Sequence, residues 1–213
     1  MDLHFDNVIP HALNDIQHKE NSVWGNSFTL KKGEKIILNA ESGKGKTTFT
    51  HILAGIRKDY KGTVQINEKD IRDFSLLKWT ELRAQQLSFI FQDLQLFGEL
   101  TVQENLVLKN QLTHTFTNEE LKEMVAQLDI SEKWNTPCKL LSLGQQQRVA
   151  IIRALIQPFN WLIMDEPFSH LDEKNRNLAS SLIQNRVNEL QAGLILTSLD
   201  ENNSVKMDKK LYL

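Results

Sequence analysis

Nine consecutive residues, Ala40-Glu41-Ser42-Gly43-Lys44-Gly45-Lys46-Thr47-Thr48, put glycines, lysines and hydroxyls into one short stretch. Gly43 and Gly45 let a backbone turn so tightly that successive N–H groups face one concavity. A helix opening near Lys46 adds the positive end of its dipole, which suits an anion. Lys46 can reach outer phosphates, and the Thr47 hydroxyl can ligate a Mg²⁺ that accompanies them. A second candidate is Asp165-Glu166, two carboxylates at the end of the apolar run Trp161-Leu162-Ile163-Met164. At the carboxyl edge of a parallel sheet, Asp165 is placed to hold Mg²⁺ and Glu166 to orient and activate water. Each stretch also has a plain reading. The first can be an ordinary strand–turn–helix with a surface lysine, the second a helix N-cap with solvated acids.

Several elements must position these groups. The apolar run 35–39 precedes the glycine turn and reads as a buried strand, and 49–55 reads as a helix ending at Gly55. That order is what a phosphate-binding turn requires. Further strands are expected over 3–9, 23–30, 62–67, 87–91, 160–164 and 194–197. Leu76, Leu77, Trp79 and Leu82 fall near helical spacing, and helical patterning runs from 94 to 158. Thr101-Val102-Gln103-Glu104 and Thr117-Asn118-Glu119-Glu120 are capping-box sequences. Leu178, Leu182, Ile183, Val187 and Leu190 mark one face of a long helix, expected to stop at Gly193. Strands alternating with helices imply an α/β fold with a mainly parallel sheet covered on both faces, and an inserted helical subdomain.

Composition narrows the function classes. A chain of 213 residues suits one domain with an insertion, and 40% hydrophobic residues are enough for a core. A net charge of −2 gives no field to hold nucleic acid or an anionic membrane surface. The single Cys138 cannot form an internal disulfide, and its place beside Pro137 suits an inert packing residue in a reducing compartment. No apolar run is long enough to span a bilayer, and residues 1–6 do not resemble a signal peptide. The expected protein is soluble and cytoplasmic, with any membrane supplied by another subunit. Trp24, Trp79, Trp134 and Trp161 are scattered and read as packing residues. His4, His11, His18 and His51 lack metal-ligand spacing.

In this order, the motifs resemble the ATP-binding subunits of ABC transporters. Residues 40–47 are similar to Walker A, Gln92 to the Q-loop glutamine, and Leu141-Ser142-Leu143-Gly144-Gln145 to the LSGGQ signature. Ile163-Met164-Asp165-Glu166-Pro167 is similar to Walker B with its catalytic glutamate, and Ser169-His170-Leu171-Asp172 to the D-loop. The likeness runs from about residue 3 to the C-terminus, and 87–92 resembles the lipoprotein-release and macrolide-export branch. It implies a P-loop NTPase with a RecA-like core and an antiparallel β portion near the N-terminus. The core would comprise 1–92 and 159–213, and the helical subdomain 93–158.

The resemblance also implies a set of roles. ATP would be cradled by Ser42, Gly43, Lys44, Gly45, Lys46, Thr47 and Thr48 of one protomer. Ser142, Gly144 and Gln145 of a second copy, or of a paralogous subunit, would close over it head to tail. Catalysis would fall to Glu166, Gln92 and Lys46, and Mg²⁺ to Thr47, Gln92 and Asp165. A multi-span membrane subunit would hold the protein on the inner face of the plasma membrane, docking at the segment 93–105 through Leu94, Leu96, Phe97 and Leu100.

Four positions depart from the family pattern. Ala40 and Leu143 replace glycines, with the Leu143 side chain expected to point away from the nucleotide. His11 stands in the region of the usual adenine-stacking aromatic, where a surface histidine is the preferred reading and stacking the alternative. Ser198 takes the place of the switch histidine and would contact the γ-phosphate only weakly. The leading expectation is a transport-coupled ATPase, and the alternative is a slow or non-hydrolysing nucleotide-sensing subunit. A soluble ABC protein of DNA repair or translation is disfavoured, because there is neither a second cassette nor a long coiled-coil insertion.

Overall fold

The computed structural model describes residues 1–15, 21–39, 43–198 and 205–213. Ala40, Ser42 and His18 lie outside the described residues. Two sheets organise the chain. A four-stranded antiparallel sheet has the order β2-β1-β4-β5, from Leu3–Pro10 (β1), Phe28–Leu30 (β2), Tyr60–Ile66 (β4) and Lys69–Asp70 (β5). A five-stranded parallel sheet has the order β6-β7-β8-β3-β9. Its strands are Lys35–Asn39 (β3), Leu87–Ile90 (β6), Trp161–Asp165 (β7), Gly193–Ser198 (β8) and Lys209–Tyr212 (β9). The inner strands read as unbroken apolar runs because both faces are covered; every residue of β7 is buried.

Helix α1 (Lys46–Leu53) follows β3 and packs near β7, and α2 (Leu76–Gln85) leads into β6. Helices α3 (Val102–Asn110), α4 (Asn118–Gln127) and α5 (Leu143–Ile156) lie between β6 and β7, and α6 (Glu173–Glu189) lies between β7 and β8. Both expected capping boxes form. Thr101 Oγ1 accepts from the Glu104 N–H and Glu104 accepts from the Thr101 N–H, and Thr117 and Glu120 repeat the arrangement. One apolar cluster runs without a break from Leu121 of α4 through Leu155 of α5 to Leu194 of β8. A second joins Phe5 of β1 to Phe49 of α1 and Ile36 of β3. Cys138 is buried in the first cluster; burial pushes its thiol up to about 11, and Asn105 donates to its Sγ.

Several expectations needed correction. The strand expected over 23–30 is reduced to Phe28–Leu30, because Gly25 takes φ +79° and the chain turns inward at Trp24. Helix does not begin at 94. Leu94 and Gln95 hold left-handed φ of 58° and 52°, which an α-helix cannot accommodate, and α3 starts only at Val102. Leu76 and Leu77 do lie in α2 but are 88% and 80% exposed; the helix buries Trp79 and Leu82 instead. Gly193 does not stop α6. The helix ends before Gln191 at φ +48°, while Gly193 opens β8 where any Cβ would run into the Trp161 ring. Strand β9 was not expected, since Leu211 is the only aliphatic residue in Lys209–Tyr212.

Candidate active site at the sheet edge

The carboxyl ends of β3, β7 and β8 meet at one edge. Asn39 pairs with Ser198, and Asp165 pairs with Thr197. This is where open parallel sheets bind ligands. The turn after β3 is built on Gly43 at φ +79° and Gly45 at φ +99°. A Cβ on Gly45 would lie 2.6 Å from Leu13 and 3.2 Å from the Trp24 ring, so position 45 excludes side chains by space as well as by φ. From beneath, the Trp24 indole N–H donates to the Lys44 carbonyl at 3.1 Å. Gly45 is the N-cap of α1, and among the described residues neither a capping side chain nor an acid occupies the first turn. Such a helix start suits an anion.

The charged groups converge above this turn. Lys46 Nζ lies 3.2 Å from Glu166 Oε1, with side chains 7% and 19% exposed. Thr47 Oγ1 donates to Asp165 Oδ2 at 2.7 Å, and Thr197 Oγ1 donates to Asp165 Oδ1 at 2.6 Å. Thr197 also accepts from the Glu166 N–H, through Oγ1 at 3.2 Å and its carbonyl at 3.3 Å. Glu166 itself sits at φ +49°, a left-handed conformation that costs a non-glycine residue about 1 kcal/mol or more. A cavity of about 290 Å³ opens here, lined by Gly43, Gly45, Lys46, Thr47 and Thr48, with Gln92 and Glu166 opposite and Leu13 at one side. Gln92 also lines a neighbouring cavity with Thr47, His51, Phe91 and Asp93.

The donor set fits Mg²⁺ carried by a phosphate ligand. Thr47 and Asp165 supply one hydroxyl and one carboxylate oxygen, and Gln92 lines the same cavity. Mg²⁺ takes one or two protein ligands and completes its shell with phosphates and water. Among the described residues no cluster of three His, Cys, Asp or Glu could hold a metal unaided.

Other expected site residues stand apart from this cavity. Ser142, Gly144 and Gln145 open α5, where Ser142 and Gln145 form a capping box: Ser142 N–H donates to Gln145 Oε1 at 3.0 Å, and Gln145 N–H to Ser142 Oγ at 3.3 Å. Leu143 is 56% exposed, and Gly144 faces the loop after β7. Ser198 ends β8 beside Asn39, at the same edge but not among the lining residues. His11 is exposed in a 3₁₀ turn; buried Leu13 of that turn lines the cavity instead. Thr197 and Gln147 were not anticipated. Their signal was present, because a polar residue in an apolar strand or on a buried helix face requires a partner.

The order and geometry of these motifs agree with a sequence profile described as "ABC transporter", which matches residues 24–169. The chain belongs to the ABC transporter family. This ABC chain is 32% identical over 192 residues to the lipoprotein-releasing system ATP-binding protein LolD of Hydrogenovibrio crunogenus, covering 89% of the chain and 84% of that relative. LolD of Francisella tularensis subsp. tularensis is 30% identical over 187 residues, 86% and 81% of the two chains. Among solved structures, the dimeric post-hydrolysis state of the ATP-binding cassette MJ0796 bound to ADP and Pi superposes with a TM-score of 0.83. It has 24% identity and covers 99% of this chain and 94% of that one. A second dimeric structure of MJ0796, described as a bacterial ABC transporter cassette, gives 0.84 with the same identity and coverage. The fold is that of an ABC ATPase cassette.

Proposed function

We propose that the chain is the ATP-hydrolysing subunit that powers an ABC transporter of the lipoprotein-releasing kind. The observation that carries this reading is the meeting of Lys46, Thr47, Asp165 and Glu166 over an uncapped helix N-terminus. Phosphates of ATP bind the N–H groups of Gly43 to Thr48, with Ser42 completing the cradle. Those phosphates compete with Glu166 for Lys46, so loading the site frees the Glu166 carboxylate to orient and deprotonate water. Thr47, Asp165 and Gln92 would hold Mg²⁺, which would neutralise the charge shared by the outer phosphates. Lys46 draws charge from the transferring group, and Asp165 stays fixed by Thr47 and Thr197. Catalysis is positioning and charge stabilisation, with no covalent intermediate.

One chain does not complete the site. Ser142, Gly144 and Gln145 sit outside its own cavity, and the MJ0796 structures are described as dimeric. A second copy, or a paralogous subunit, closes head to tail over each nucleotide with these residues. In this reading 93–158 acts as a helical subdomain set against a core of 1–92 and 159–213.

The membrane subunit docks beside the segment 93–105. Here Phe97 is exposed, whereas Leu94, Leu96 and Leu100 are half-buried and Leu96 packs into the helical cluster, so the apolar contact is narrower than expected. A groove of about 270 Å³ adjoins it, lined by Phe89, Phe91 and Leu94 together with Arg83, Lys109 and Arg153, and no carboxylate among the described residues lines it. Arg83 donates to the Ala54 carbonyl and Arg153 to that of Gln95, and Lys109 has no ion-pair partner among the described residues. The part of the membrane subunit that docks here therefore presents a carboxylate. This arrangement holds the chain on the inner face of the plasma membrane; among its described residues no helix is long and apolar enough to cross one.

Release of phosphate from ATP and Mg²⁺ by the purified protein, alone and with its membrane subunit, tests the enzymatic reading. ATP binding without phosphate release in both settings transfers the assignment to the nucleotide-sensing alternative, which the exposed Leu143 and the serine at 198 favour. Cross-linking from single cysteines at 97 and 109 tests docking; labelling of a membrane protein only from cysteines elsewhere sinks it.

A further inference from the structure

Gln147 lies one turn beyond Gly144 on α5 and is 1% exposed. Its amide is fully used. Nε2 donates to the Glu166 carbonyl at 3.2 Å and to Ser169 Oγ at 3.4 Å, and Oε1 accepts from the His170 N–H at 2.9 Å. Gly144 makes a second contact with the same loop, where a Cβ would lie 2.7 Å from the His170 carbonyl oxygen. The opening turns of α5 are thus locked onto the loop after β7 at two points. A buried amide is tolerated only when its polar atoms are paired, and an apolar side chain would suit mere packing better. What the amide holds is the peptide on the C-terminal side of Glu166. The peptide on its N-terminal side is gripped by Thr197, through the Glu166 N–H. The left-handed φ of Glu166 is therefore imposed from both ends.

We infer that Gln147 is a positioning residue that couples the signature end of α5 to the orientation of Glu166. This rests on the dimer described above. When Ser142, Gly144 and Gln145 engage the nucleotide of the opposite chain, any shift of the α5 N-terminus moves Gln147 with it. The Ser142–Gln145 capping box fixes the first turn of α5, so the displacement reaches the Glu166 carbonyl directly. The carboxylate that serves a chain's own ATP is thereby set by whether that chain's signature has found the other ATP. A single hydrogen bond, from Gln147 Nε2 to the Glu166 carbonyl, carries the path from helix to loop.

The test uses Gln147→Met, which keeps length and removes both polar atoms, and Gln147→Glu, which keeps the acceptor for His170 and loses the donor to Glu166. For both, kcat falls at least tenfold while ATP affinity stays within about twofold. In a Glu166→Gln background, adding Gln147→Met leaves ATP-driven dimerisation, followed by light scattering, unchanged. Wild-type turnover in either variant overturns the inference. A parallel loss of turnover, ATP affinity and thermal stability also overturns it, since that marks a role in folding alone; Gln147→Glu supplies the measurement if Gln147→Met does not fold. Failure of the Glu166→Gln protein itself to dimerise with ATP is a separate outcome that removes the dimer reading.

Discussion

The sheet edge and the basic groove hold similar charges in opposite states. At the edge the buried charges are answered within the chain: Lys46 by Glu166, and Asp165 by Thr47 and Thr197. In the groove Arg83 and Arg153 find backbone carbonyls and the faces of Trp79 and Phe97, and Lys109 is pushed down to about 8 by burial and then by Arg153. Desolvated cations without carboxylates lower the stability of the isolated protein. The contrast separates charges that the chain pairs internally from a surface that, in the proposed docking, a membrane subunit completes.

The largest effect expected comes from Glu166→Gln. ATP binding survives, because the neutral side chain competes less for Lys46, while turnover falls on the order of a hundred- to ten-thousandfold. The ATP-loaded mutant accumulates as a dimer in sizing experiments. Unchanged hydrolysis takes Glu166 out of the mechanism and dissolves the contrast. Next is Thr197→Val, which removes the hydroxyl that donates to Asp165 and accepts from Glu166. Steady-state kinetics should show turnover roughly tenfold lower, the cost of one hydrogen bond to a charged group. A wild-type rate here means that Thr47 alone holds Asp165.

Ser198→His asks whether the edge is complete for fast chemistry. Serine at 198 is expected to reach a γ-phosphate only through bridging water, so the histidine should raise turnover up to about tenfold without changing ATP affinity. No gain, with Glu166→Gln inactive, means that the water is held by other residues.

The smallest effect is on the groove. Burial and Arg153 depress the folded pKa of Lys109 from the ordinary 10.5 to about 8. The unfolded state therefore binds more protons between pH 8 and 10.5, and stability rises with pH across that window. Lys109→Met gains roughly 1–2 kcal/mol at pH 7, discounted for partial exposure, and flattens the rise. Denaturant titrations at pH 7 and pH 10 measure it. Basal hydrolysis stays unchanged and coupling to the membrane subunit is lost; a variant that couples normally refutes the docking assignment.

The chemical residues were legible because they sit where pattern and chemistry coincide. Lys46 follows a glycine turn, and Asp165 ends an apolar strand. Capping at 101 and 117 was legible for the same reason, since the residues involved are adjacent in sequence. What could not be read was long-range. Trp24 folding under residue 44, Leu13 lining the cavity wall and β9 pairing with β3 depend on tertiary contacts that no local period encodes. The backbone at Leu94 and Gln95 defeated the helical reading because left-handed residues of ordinary type leave no compositional mark.

The bond from the Trp24 indole to the Lys44 carbonyl has a use outside catalysis. Indole emission responds to its hydrogen-bond partner and to nearby charge. Trp24 is buried beneath the turn proposed to receive the phosphates, 6.0 Å from the ring of Phe49. The protein thus carries a fluorophore hydrogen-bonded to that turn. Nucleotide arrival is expected to change intrinsic fluorescence, with Trp24→Phe giving the background of Trp79, Trp134 and Trp161 and no label attached.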